Sequence, residues 1–180
     1  LHHAVDAEPR VEDLVPAVFA VGLRELILRA NREFEWLGTL VLASMVVWLS
    51  VTLVANGIEG GIALDAYDGN GDPSVARALT MAYLLMYNGS IAFVMTALFL
   101  AASGYATFAT GILPRWTGWL AQAGAFLCVA AIPAMYAGRA DPAGFYNAGG
   151  WGAALIANFP PLLWFLVVGI LLTRKHQDKA

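Results

Sequence analysis

Four long uncharged runs organise this chain, at 36–58, 78–114, 116–138 and 142–173. Each exceeds the ~20 apolar residues with which an α-helix crosses ~30 Å of hydrocarbon. The only charges between Trp36 and Thr173 are Glu59, Asp65, Asp68, Asp72, Arg77, Arg115, Arg139 and Asp141, and they divide the runs from one another. The expected fold is therefore all-α: a polytopic transmembrane helical bundle with four complete spans, preceded by an amphipathic or partial-span helix. The spans are placed at 36–58, 79–110, 116–138 and 151–173.

The ends of the chain are read differently. Residues 1–12 have no apolar period and are expected to form a flexible arm; His2 and His3 there read as tail residues before they read as a metal site. Leu1 is not a methionine and the first 13 residues are too polar for a signal peptide, so the sequence leaves room for helical chain before residue 1. Asp13 is a good N-cap and Pro16 is tolerated in a first turn, which predicts one helix over 13–35. Its uncharged stretch, 14–23, is too short to span, so an interfacial helix or the end of a span fits it. The bundle occupies 36–173, and 174–180 is a basic tail.

Between the first two spans, 59–77 carries two adjacent glycines and the stretch DAYDGNGDP, and it is expected to be a polar loop outside the hydrocarbon. Gly111 and Pro114 should end the second span, with Trp116 and Trp119 anchoring the third at the interface. Pro160 and Pro161 should kink the fourth near Asn158 and free backbone carbonyls. One side of the membrane collects Arg24, Arg29, Arg32, Arg115, Arg174, Lys175 and Lys179, and the other only Arg77 and Arg139. The positive-inside rule then places both termini in the cytoplasm and the 59–77 loop outside the plasma (bacterial inner) membrane.

Composition narrows the function. With 59% hydrophobic and 13% charged residues against roughly 25% charged in a soluble domain, a soluble enzyme and a nucleic-acid binder are excluded. Cys128 is the single cysteine and all three histidines are terminal, which removes thiol-pair chemistry and bis-histidine haem ligation within the bundle; no cofactor is expected. No nucleophile motif is present, since Ser103 in AASGY has no histidine partner, so an enzyme would need its chemistry at the outer loop. Glu59 reads first as an interfacial carboxylate that snorkels to water, and second as a transport group.

Two constellations remain. Asp65, Asp68, Asn70 and Asp72 form an oxygen-rich stretch suited to a hard cation, but the EF-hand spacing fails, with Pro73 and Leu79 where glycine and glutamate are needed. Turn chemistry explains the same residues, and Asp72 with Pro73 can start a helix. Tyr87, Asn88, Gln122 and Asn158 are polar groups within spans. They are expected either to bond across helices or to wall a pocket for a small or lipid-like ligand.

The stretch 71–124 resembles a family of small multi-span membrane proteins common in actinobacteria and known as a domain of unknown function. The most specific part is the turn GILPRWTGWLA, 111–121, with its Leu, Pro, Arg, Trp, Gly and Trp. The resemblance implies about six spans, one or two of them before residue 36, and brings no substrate, cofactor or catalytic residue. The function expected from the whole sequence is that of a non-catalytic membrane component, an accessory or structural subunit that meets membrane lipids and other membrane subunits or copies of itself. A small permease or export accessory is the second reading, and a membrane enzyme the third.

Overall fold

The structure, a computed structural model, describes residues 11–68, 72–87, 89–135, 144–145, 152 and 154–177. Among them are six α-helices and no strand: α1 (Val11–Ala30), α2 (Glu35–Asp68), α3 (Pro73–Tyr87), α4 (Ser90–Thr110), α5 (Arg115–Ala131) and α6 (Phe159–Gln177). Three helical stretches, Arg32–Asp65, Pro73–Thr110 and Leu155–Arg174, are long and apolar enough to cross a membrane. The expected third span is the 17-residue α5, ~26 Å long, and it reaches ~34 Å only with the 3-10 turn Ile132–Met135.

The expected single helix over 13–35 is broken. Asn31 is extended (φ −160°, ψ 119°), and its side-chain oxygen accepts the Glu33 N–H at 2.9 Å, so α1 stops and the chain reverses through the 3-10 turn Arg32–Phe34. Arg24 then faces Glu35 at 3.7 Å and its side chain lies over Gly38, which sets α1 antiparallel to α2. Ala20, Leu23 and Ile27, spaced three and then four positions apart, form one face of α1 that is buried in the core.

The polar loop expected at 59–77 is also corrected. Helix α2 runs through Glu59 and both glycines to Asp68, and α3 begins at Pro73. Two glycines cost a helix about 1 kcal/mol each, too little to stop a run flanked by Ile58, Ile62, Ala63 and Leu64 once the helix is nucleated. Asp72 starts α3 as its N-cap, accepting the Ser74 N–H at 2.8 Å and the Ser74 hydroxyl at 2.7 Å, with Pro73 at the first helical position. Ser74 therefore holds the Asp72 carboxyl below its ordinary range.

The expected second span is two rods. Gly89 is extended (φ −103°, ψ −179°) and buried, and a Cβ there would run into the Leu85 carbonyl, so the close approach admits only glycine. Helix α4 ends as expected at Gly111, whose φ of 65° is left-handed and whose N–H bonds the Thr107 carbonyl at 3.0 Å.

Cross-helix pairs give the topology. Trp36 packs on Tyr105, which makes α2 and α4 antiparallel neighbours. Gly104 meets Gly118 and Gln122, where an added Cβ would lie 2.9 Å from the Gly118 carbonyl, so α4 and α5 touch backbone to backbone. Cys128 donates to the Ala157 carbonyl at 3.3 Å and Trp164 donates to the Thr117 carbonyl at 3.0 Å; residue numbers fall along α5 as they rise along α6, so these helices are antiparallel too. One end of the bundle thus gathers Trp36, Gly111, Arg115 and Arg174.

Candidate functional site: an apolar groove between four helices

The walls of the groove follow from α6. Prolines 160 and 161 supply no N–H to the turn before them, and the chain takes a π-helical turn there, Ala154–Asn158. The freed Ala157 carbonyl finds the Cys128 thiol instead, which ties α6 to α5 and leaves its opposite face unpaired. Trp164 is completely buried with its indole N–H satisfied on Thr117, and its ring packs edge-on against Phe19 and Phe99 at 6.1 and 5.8 Å. Phe165 stacks on Phe99 at 5.2 Å. These rings wedge α6 away from α1 and α4 and hold a space open beside them.

That space is a cavity of about 1010 Å³, at the upper end of the usual ~300–1,000 Å³ for small-molecule sites. Helix α1 contributes Val15, Pro16 and Phe19, α2 contributes Met45 and Trp48, and α4 contributes Met95 and Phe99. Along α6 it extends from Asn158 to Arg174, which at 1.5 Å per residue is ~24 Å. It is an open groove, because Val15, Leu162, Leu166 and Ile170 on its rim are exposed. Its serine and threonine hydroxyls bond their own helices: Ser44 donates to the Leu40 carbonyl at 2.8 Å, Thr96 to Ala92 at 2.8 Å and Thr173 to Gly169 at 2.8 Å. The interior is therefore greasier than its residue types suggest.

The polar residues singled out in the sequence separate here. Tyr87 and Asn158 both line the groove. Gln122 does not; it donates to the Ala101 carbonyl at 2.9 Å and joins α5 to α4. Asn88 lies outside the described residues. Asp65 is exposed on α2, Asp68 is at the end of that helix and Asp72 caps α3, while Asn70 is outside the described residues. No group of three or more His, Cys, Asp or Glu side chains that could hold a metal occurs among the described residues. Glu59 lies beside Tyr83 across the α2–α3 pair, toward the end of α2 away from Trp36. Sequence reasoning missed Trp164, Phe99 and Phe165, and that Arg174 lines the groove. A tryptophan in the middle of a span was the available signal, since this side chain otherwise favours the interface.

Fold and groove together define an all-helical bundle with three helices long and apolar enough to cross a membrane. Comparison with known protein families, with curated proteins and with solved structures finds no match.

Proposed function

We propose that this chain is a non-catalytic integral membrane protein that takes up a lipid-like ligand in the α1–α2–α4–α6 groove, as an accessory or structural component of a membrane assembly. The observation that carries this reading is a ~24 Å, mostly apolar channel in which Ser44, Thr96 and Thr173 bond to their own helices, which offers a ligand dispersion contact and exclusion from water. Its setting is the plasma membrane with both termini cytoplasmic, on the strength of seven bases against two. Association with other subunits is favoured by a separate observation: α3 buries none of its residues and exposes Val75, Leu79 and Leu85.

The groove can be filled without disturbing the bundle. Gly169 lines it, and a Cβ added there meets no atom within 4 Å. Gly169→Leu should therefore fold at least as well as the wild type, since glycine inside a helix costs about 1 kcal/mol relative to good helix formers. It should carry less lipid through purification in mild detergent, measured by mass spectrometry of extracted lipids beside the thermal midpoint. Equal lipid content in a stable Gly169→Leu protein sinks the reading.

A further inference from the structure

We infer that the groove's occupant is an anionic phospholipid, with one acyl tail along α6 and its phosphate at Arg174. This rests on the lipid-binding reading above and adds the headgroup and the direction of entry. Among the described residues that line the groove, Arg174 is the only charged one, and it sits at one extremity. It is exposed and has no ion pair among the described residues; of the acids of that end, Glu25 and Glu35 face Arg24 at 3.5 and 3.7 Å, and Glu33 accepts from the Asn31 amide at 3.5 Å. The opposite extremity, at Tyr87 and Asn158, is uncharged.

A ligand that matches this pattern has one anionic end and a long apolar remainder. One leaflet's hydrocarbon is ~15 Å deep, so a groove of ~24 Å houses a whole tail from a lipid whose headgroup stays level with Arg174. The level fits, because the antiparallel pairing of α5 and α6 puts Arg174 at the same end of the bundle as Arg115, Trp116 and Trp36, the residues of a water interface. Guanidinium forks also hold phosphate oxygens in pairs, which a lysine ammonium does not do. Entry needs no gate, since the rim residues Leu162, Leu166 and Ile170 are already exposed along the length of α6.

The test titrates detergent-solubilised protein with phosphatidylglycerol and with phosphatidylcholine of identical tails, and reads bound lipid by native mass spectrometry. The wild type should favour phosphatidylglycerol by about fivefold, the size expected of one arginine near an anionic headgroup. Arg174→Gln should weaken both lipids, since both carry a phosphate, but phosphatidylglycerol about fivefold more, so that the preference disappears; Arg174→Lys should keep part of it. Gly169→Leu should lose both lipids. If Arg174→Gln retains the full preference, or the wild type shows none, the headgroup assignment is overturned while loss of both lipids from Gly169→Leu still upholds the groove. If Gly169→Leu binds both lipids as the wild type does, the groove is not the binding site and both readings fall.

Discussion

Gly104 shows how much of this bundle depends on single missing side chains. An added Cβ would lie 2.7 Å from the Gln122 amide nitrogen, 2.9 Å from the Gly118 carbonyl and 3.1 Å from the Ala121 Cβ, and only the first of these can swing aside. Gly104→Val should therefore push α4 off α5 and cost about 1–3 kcal/mol, in the range of overpacked cores. Gly22→Val on α1, where a Cβ meets nothing within 4 Å, is the matched control and should lie within about 0.5 kcal/mol of the wild type. Thermal midpoints of the two variants in the same detergent decide it. Which glycine meets a backbone and which meets open space is not legible in the sequence, because that depends on the rotation of neighbouring helices.

Elements were legible where hydrophobic length decides and obscure where a few residues at a boundary do. The apolar runs located α2, α4 and α6 correctly, and the prolines of α6 announced the displaced carbonyl that Cys128 now satisfies. The breaks were harder. Asn31 and Gly89 interrupt helices through one extended residue each, a local event that an average over many residues does not register, whereas Gly60 and Gly61 look like a break and are not one. The cap of α3 offers a test at this scale. Because Ser74 lowers the Asp72 carboxyl's affinity for protons, the cap's stabilisation is present above the ~3.9 of an unfolded aspartate and is lost as pH falls through the folded value. Amide exchange at Val75 and Ala76 should rise, relative to α4, on acidification through that window. Asp72→Asn, an equally good cap without a titrating group, should remove the pH dependence, and Asp72→Ala should show fast exchange at every pH.

At the scale of the molecule, the bundle's antiparallel order makes a prediction about sidedness that the sequence count of bases shares. Trp36, Gly111, Arg115 and Arg174 gather at one end, and Asp65 and Asp72 lie beyond the other. In right-side-out cells a cysteine at Asp65 should react with an impermeant maleimide, and a cysteine at Arg115 should react only after permeabilisation; reversed labelling would refute a cytoplasmic basic end. Cys128 is buried and should contribute no background. The groove, by contrast, could not be read from the chain. Its walls come from α1, α2, α4 and α6 with Tyr87 of α3, and its apolar character depends on Ser44 and Thr96 turning back on the carbonyls of Leu40 and Ala92.

The length of α2 has a geometrical consequence. Its 34 residues make a rod of ~51 Å, and a helix leaning by as much as ~40°, the limit seen in bilayers, would still cover ~39 Å along the normal. A hydrocarbon slab of ~30 Å cannot swallow it. On the topology proposed above, with Trp36 at one boundary, the far tip of α2 and the α3 that returns beside it would stand as a spur above the opposite surface, clear of the headgroups when the rod is upright. Leu64, 70% exposed, would ride on that spur, an oily side chain held in water rather than in hydrocarbon.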